Sequence, residues 1–273
     1  MEVTLVVNPK AGEADHETAE LVQQLSRRGD DIRVVEKSSR RLVAALRDPG
    51  DLVAVAGGDG TVGGVVRLMC GSPVPVLILP LGTANNIARS FGIQKPQLDL
   101  NVVRRWTRQT VDAGSVNGDL IIESVGCGAV AHRVRRWRHA DDLPSFEYAI
   151  ESDQGQRKGE AILIEVMVTA RAGPRLILAP DTDPSDGLLD LVIAPPKSRN
   201  ALRSALHSPG RRRIDGLTAI QGKSFTISAD TKWHFDDKPK RGGTHTVRVS
   251  PDAWTVLVPR GKVHHRGTEH TEI

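Results

Sequence analysis

Three apolar runs constrain the first hundred residues more tightly than anything else in the chain. "VTLVVN" (residues 3–8), "LVAVA" (52–56) and "VPVLILP" (74–80) show no polar alternation, so each reads as a strand covered on both faces. A Gly- or Pro-bearing turn follows each: "NPKAG", "GGDGT" and "PLGTANN". Helical patterns stand between them. "HETAELVQQLSRRG" puts Ala19, Leu21, Val22 and Leu25 on one face, with Gly29 as the stop. After the second strand, "DIRVVEK", the stretch "SSRRLVAALRDPG" reads as a helix with Ser38 or Ser39 as its cap. "TVGGVVRLMCG" and "ANNIARSFG" complete the alternation. Repeated βα units imply a doubly wound parallel sheet with right-handed crossovers. Ligands of such sheets sit at the carboxyl ends of the strands, where all three glycine-bearing loops fall.

From about Asp112 the pattern changes. "QTVDAGSVNGDLIIESVGCGAV" reads as strand, turn, strand. Then come "GEAILIEVMVTA", "PRLILAP", "LLDLVIAP", "KSFTISA", "TKWHFDD", "THTVRVS" and "AWTVLVP", short strands at close spacing. The expected organisation is an α/β domain over residues 1–111, an antiparallel β-sandwich over 112–260 and a polar tail over 261–273, with the active site in the cleft between the domains. The polar stretch "RRWRHADDLPSFEYAIESDQGQRKG" inside the second part is expected to be a helix or loop.

Charge narrows the partner class. The formal net charge of the 273 residues is only +4, but basic residues cluster in "HRVRRWRH" (132–139) and "RRRIDGLTAIQGK" (211–223). Such clusters suit a phosphate or an anionic membrane surface, or else form a solvated face. Neither cluster carries a recognisable reading motif, so nucleic acid is not an expected partner. Cys70 and Cys127 have no CxxC spacing and read as buried free thiols of a reducing compartment. No apolar run reaches the length of a membrane span, and "MEVTLVVNP" does not resemble a signal peptide, so a cytoplasmic protein is expected.

The glycine loops indicate a phosphorylated ligand. Glycines at the end of "LVAVA" are expected to let the backbone reach positive φ and approach a ligand closely, with amide groups pointing at anionic oxygens. No GKS or GKT follows them, which excludes a Walker A loop, and no G-x-G-x-x-G opens the first helix. Lys10 is placed to add a positive charge; Thr83, Asn85 and Asn86 suit either the ligand or the cap of a helix. Spacing and residue type reach no further than a phosphate-bearing ligand at a domain cleft.

"VVNPKAG", "VAVAGGDGTV", "PLGTANNIAR" and "LAPDTDPSDGLLDLVIA", in this order, resemble the four signature stretches of the diacylglycerol kinase catalytic-domain family, which includes sphingosine kinases and bacterial lipid kinases. The resemblance spans residues 3–259. It implies transfer of the γ-phosphoryl group of ATP, with Mg²⁺, to the hydroxyl of diacylglycerol or a related lipid at the inner membrane face. It assigns Gly57, Gly58, Asp59, Gly60 and Thr61 to the nucleotide loop, with Asp59 a catalytic residue that fixes the nucleotide, its metal or the acceptor hydroxyl, and Asn8, Lys10, Gly82, Thr83 and Asn85 completing the phosphate and adenosine site. Asp112 in "TVDAG" matches the position that holds Mg²⁺ through water, and Asp186 in "PSDGLLD" matches a turn motif whose plain role is an Asp-Gly turn. Family members often pair through their β domains, which makes a homodimer a further implication.

The chain departs from the family where chemistry is concentrated. The family's Asp-Gly-Glu motif aligns with "WHFDDKP": Asp236 keeps the place of the general base, Asp237 replaces the glycine and Lys238 reverses the charge of the glutamate. "VGCGAVAHRV" lacks the aspartate of the family's Gly-x-Gly-Phe-Asp-Ala stretch. Between Gly128 and Gly159 only Trp137, Leu143, Phe146, Tyr148 and Ile150 are available for a lipid pocket. Two other functions compete with a lipid kinase. One is a small-molecule kinase of the NAD kinase type, although the Asn-Glu or Asn-Asp pair of that family is missing; the other is a nucleotide- or lipid-binding protein without catalysis.

Overall fold

The computed structural model describes residues 1–9, 22, 30–94, 105–131, 144–173, 176–207, 214–236 and 238–260. Lys10, most of the first expected helix, the basic stretch 132–139, Asp237 and the expected tail lie outside the described residues.

The first half is the expected parallel sheet. β1 (Glu2–Val7) pairs with β2 (Asp31–Glu36) on one side and β3 (Leu52–Gly57) on the other, and β3 pairs with β4 (Val76–Pro80), all parallel. Every residue of β3 and β4 is buried, as their unbroken apolar runs require. Alternate side chains divide between two layers: Val53, Val55, Val76 and Ile78 enter one core with residues of α1 (Leu42–Arg47) and α2 (Asp59–Met69). Leu52, Ala54, Ala56, Leu77 and Leu79 form the core on the opposite face. A short helix, α3 (Asn86–Ser90), follows β4.

Among the described residues the second half supplies fourteen strands, and their pairing departs from the expected separation. β5 (Thr107–Val116) and β6 (Asp119–Ile121) make the expected hairpin about Asn117-Gly118. Next come β7 (Ser124–Gly128), β8 (Phe146–Ser152), β9 (Gly155–Ala161), β10 (Leu163–Met167), β11 (Arg171–Ala172), β12 (Leu176–Ile177) and β13 (Leu189–Ala194). α4 (Arg199–His207) precedes β14 (Thr218–Gly222), β15 (Ser224–Ala229), β16 (Trp233–Phe235), β17 (Lys238–Lys240) and the long β18 (Gly243–Val258).

β18 contains both "THTVRVS" and "AWTVLVP". Its first part pairs with β15, and beyond a register shift between Ser250 and Trp254 its second part reaches β4, Val256 to Val76, in parallel. "AWTVLVP" therefore completes the α/β sheet instead of the sandwich, because Ala253, Trp254, Val256 and Val258 belong to the core of Val53 and Ile78. One ten-stranded sheet, β2-β1-β3-β4-β18-β15-β8-β9 with β5 and β6 along β18, runs through both halves. Residue 112, the expected boundary, lies inside β5.

A six-stranded antiparallel sheet, β14-β13-β10-β7-β16-β17, covers the second part of that sheet. Val116, Phe225, Ile227 and Val247 on one side and Val125, Ile164, Leu191 and Trp233 on the other build the sandwich core. The expected helix or loop about "FEYAIES" is instead the β8–β9 hairpin. Phe146, Tyr148 and Ile150 recur with period two, and they pack in or against the sandwich core. Those three are thus not free for a lipid pocket, while Trp137 and Leu143 lie outside the described residues.

Candidate active site

The two glycine loops after β3 and β4 meet backbone to backbone. A Cβ on Gly82 would stand 2.4 Å from Cα of Gly58, and one on Gly58 would stand 3.0 Å from Cα of Gly82. A Cβ on Gly57 would strike Thr61 at 2.6 Å. None of Gly57, Gly58, Gly60 or Gly82 has a positive φ. This corrects the expectation of left-handed glycines: they are required here because two loops and the first turn of α2 occupy the same few ångströms. Asn8, just past β1, donates from Nδ2 to Thr61 Oγ1 at 3.0 Å, tying the third strand end to the pair. Asn85, the one left-handed residue of the group at φ 52°, clasps Gly82 by donating to its carbonyl and accepting from its amide. Thr83 stays exposed on the same loop. The side chains of Asn8, Thr61 and Asn85 are thereby committed to holding the loops.

Asp59, the first residue of α2, has its carboxylate on another helix. Oδ1 accepts from the amide of Ile87 at 3.0 Å, so Asp59 caps α3 in place of the expected Asn85 or Asn86 side chain. Burial raises its pKa against the pull of those amides. Gly60 is exposed at the start of α2, and its carbonyl accepts from Lys37 Nζ at 2.8 Å. Lys37 follows β2 and brings a cation to the loop, although its place in the sequence, after a polar strand end, gives no hint of that.

Asp236 occupies the turn after β16 at φ 50°. Oδ1 accepts from the amides of Ile122, Glu123 and Ser124 at 3.2, 2.8 and 3.2 Å, and Oδ2 meets the Arg67 guanidinium of α2. Its own amide donates to the Ser124 carbonyl at 2.8 Å. Burial raises its pKa, opposed first by Arg67 and then by the three amides. Glu123, between β6 and β7, accepts at Oε1 from Asn86 Nδ2 at 2.9 Å. Its carboxyl lies well above the carboxylate range, through burial first and then through Asp59 and Asp236. Asp59, Gly60, Gly63, Arg67, Ile87, Glu123 and Asp236 enclose a cavity of about 20 Å³. That is room for a water or a hydroxyl, so anything larger must lie at its mouth.

Glu123, Arg67 and Lys37 were not anticipated, and Asn86, expected to meet the ligand or cap a helix, instead donates to Glu123 and to the Gly173 carbonyl. A lone acid in "LIIESVG" and a lone base on the apolar helix "GGVVRLM" are the signals that single out the first two. A group whose protonated form is favoured by folding weakens the fold as pH rises past its unfolded value, about 4.3 for Glu. Glu123→Gln keeps the bond from Asn86 and is therefore expected to raise the melting temperature by several degrees at pH 8 and hardly at all at pH 4. An equal effect at both pH values would show that Glu123 is not the strained acid.

The remaining site residues lie elsewhere. Asp112 is buried where β18 bulges: Oδ1 accepts from the Asp252 amide at 2.9 Å and Oδ2 from the Gly187 amide at 2.7 Å. It does not border the cavity of Asp59. Asp186 makes the expected turn, accepting from the Leu188 amide at 2.8 Å beside Gly187 at φ 77°. Cys127 is buried as expected, but Cys70 is exposed at the end of α2. Among the described residues no three His, Cys, Asp or Glu side chains group to hold a metal ion, and no helix is long and apolar enough to cross a membrane.

Known proteins resemble this chain in sequence and fold. Residues 2–116 match the diacylglycerol kinase catalytic domain, and residues 125–258 match the YegS C-terminal NAD kinase beta sandwich-like domain. The chain is 29% identical over 234 residues to a protein named diacylglycerol kinase from Mycobacterium tuberculosis, covering 73% of this chain and 75% of that one. A Bacillus subtilis protein of the same name is 32% identical over 174 residues, 55% of this chain and 56% of that one. The fold matches the crystal structure of a diacylglycerol kinase from Bacillus anthracis with a TM-score of 0.77 at 20% identity, over 96% of this chain and 98% of that one. With both halves matched in order and the motif loops brought to one edge, the chain belongs to the diacylglycerol kinase catalytic-domain family.

Proposed function

We propose that this protein transfers the γ-phosphoryl group of ATP to the hydroxyl of diacylglycerol or a related lipid alcohol at a membrane surface. One observation carries the proposal. Two glycine loops are locked together at the carboxyl ends of β3 and β4, beside a hydroxyl-sized cavity walled by Asp59, Glu123 and Asp236. Phosphoryl transfer needs mainly positioning, charge neutralisation and one carboxylate to take the acceptor proton. The phosphates would lie over Gly60 and the first turn of α2, where amides and Lys37 offer positive charge. Asp236 would take the proton of the acceptor hydroxyl as that oxygen bonds to the γ-phosphorus and the bond to the β-phosphate oxygen breaks, leaving ADP. Diacylglycerol is favoured as acceptor by the names of the relatives.

The described residues supply no closed metal site. Both Asp112 oxygens already accept amide protons away from the cavity, which does not suit the ligand role its position implies. Mg²⁺ in this proposal accompanies the nucleotide, since that ion keeps most of its waters and is held largely by substrate phosphates.

A second function, binding without turnover, is favoured by one contact. Arg67 pairs with the proposed base, and Lys238 stands close behind it in sequence. The test is ATP turnover with Mg²⁺ over mixed micelles of candidate lipids, beside Asp59→Ala. Labelled phosphate in the lipid, absent in the variant, supports the kinase. ATP binding by the wild-type protein with no lipid phosphorylated would overturn it in favour of the second function.

A further inference from the structure

Behind the Asp236 turn, two ionisable side chains are buried in a place that phosphoryl transfer does not use. Glu165 on β10 and His234 on β16 both pair with Gly126 of β7, one from each side. They therefore stand in one row across the six-stranded sheet with only a glycine between them. The glycine is obligatory, because a Cβ there would lie 2.5 Å from Glu165 Oε2 and 2.2 Å from the carbonyl oxygen of Ile164. Across that gap His234 Nε2 meets Glu165 Oε1 at 2.7 Å. Glu165 is 0% exposed and His234 5%, and Glu165 Oε2 has no hydrogen-bond partner. The other ring nitrogen, Nδ1, reaches the carbonyl oxygen of Asp236 at 2.5 Å.

Counting protons limits what this row can be. A carbonyl oxygen only accepts, so Nδ1 must carry hydrogen. Nε2 then faces a carboxyl oxygen. If Glu165 is ionised, Nε2 must carry hydrogen as well and the ring is an imidazolium; if Nε2 is bare, Glu165 must hold the proton. In both cases the pair retains one proton that a neutral ring and a carboxylate would not share. Burial works against the charged ring, but Glu165 and the Asp236 carbonyl together hold its pKa above the ordinary value. The neighbouring elements add few other charges. Asp236 is on the turn with Arg67 of α2 paired to it, and Glu123 precedes β7. Cys127 on β7 is kept a thiol by burial and by Glu165, and β17 presents the uncharged Pro239 opposite His234.

We propose that Glu165 and His234 form a proton-holding clamp that positions Asp236, fixing its left-handed turn while the ring is doubly protonated and loosening it when that proton leaves. Deprotonation would turn the Nε2 lone pair toward a buried carboxylate, and the ring would have to leave one of its two partners. The left-handed conformation is strained for a non-glycine residue, so a turn that loses its carbonyl partner has reason to relax. A raised histidine pKa gives stability that is full below about pH 6.5 and is lost as pH rises through the folded value. The consequence for turnover rests on Asp236 being the base; the clamp itself does not.

The test compares wild type with Glu165→Gln, whose amide donates to a bare Nε2 and keeps every contact without the charge. Long-range ¹H–¹⁵N spectra of the histidine rings, assigned with His234→Asn, read the protonation directly. In wild type the His234 ring is expected to be doubly protonated at pH 7 and to stay so beyond the titration of exposed histidines. The melting temperature is expected to drop between pH 7 and 9.5 by several degrees more in wild type than in Glu165→Gln. A neutral His234 ring at pH 7 in wild type, or equal pH curves for the two proteins, would overturn the clamp; the wild-type spectra decide it even if the variant does not fold. Lipid phosphorylation should lose its alkaline decline in Glu165→Gln. Failure to phosphorylate any lipid at any pH would count against the kinase alone, because spectra and melting need no turnover.

Discussion

Asp236→Asn is expected to lower lipid phosphorylation by about 10²–10⁴-fold, the usual contribution of a positioned general base. Asparagine is the informative substitution because it tolerates the left-handed φ of 50° and still offers an oxygen to the amides of residues 122–124. Alanine would add strain and leave the partly exposed Arg67 without its carboxylate, bonded to the Leu120 carbonyl. Arg67→Met separates holding from chemistry. It removes the ion pair but leaves the carboxylate with its amide donors, so a lower melting temperature is expected with less than tenfold loss of rate per folded molecule. Equal rate losses in Asp236→Asn and Arg67→Met would show that Asp236 acts through its ion pair and not as a base.

Gly82→Ala is expected to be the most damaging single-methyl change at the site. Its Cβ would fall 2.4 Å from Cα and 3.2 Å from the amide nitrogen of Gly58, so backbone must move whatever the Asn85 side chain does. Overpacking of this kind costs about 1–3 kcal/mol where the surroundings can shift. Here the shift separates the loops that would hold the phosphates, so nucleotide affinity should fall along with the melting temperature. Gly64→Ala on α2 is the control, since its Cβ meets only the flexible end of Lys37 at 3.8 Å. Nucleotide binding by Gly82→Ala as tight as by the control, measured calorimetrically, would show that the apposition of the loops is not what makes the site.

Much of this arrangement was legible in the residues. Fully buried parallel strands announce themselves as "LVAVA" and "VLILP", and the loops that follow them carry the family motifs. What the sequence could not express is which distant segments touch. Period two marks "AWTVLVP" as a strand but is silent on whether its partner is β4 or a strand of the sandwich. The motif glycines were rightly singled out for close approach, yet the approach is of one loop to another, which needs two segments 24 positions apart to be seen together (Gly58 and Gly82). Asp112 stood out by its match to the position that holds Mg²⁺ through water, but its oxygens accept amide protons from Gly187 and Asp252. Glu123 and Arg67 escaped attention because their chemistry exists only through Asp59 and Asp236, which are remote in the chain.

The long β18 also governs the order in which this protein can be made. β4 pairs with β3 within the α/β half, but it gains its second parallel neighbour only when Val256 reaches Val76, close to the end of the described chain. While the chain is being synthesised, the α/β half is thus a sheet with one apolar, fully hydrogen-bonding edge uncovered, the kind of edge that recruits chaperones or other strands. Such long-range pairing folds slowly. The last described strand acts as a latch on β4, so the α/β half reaches its finished form only after most of the other half has been translated.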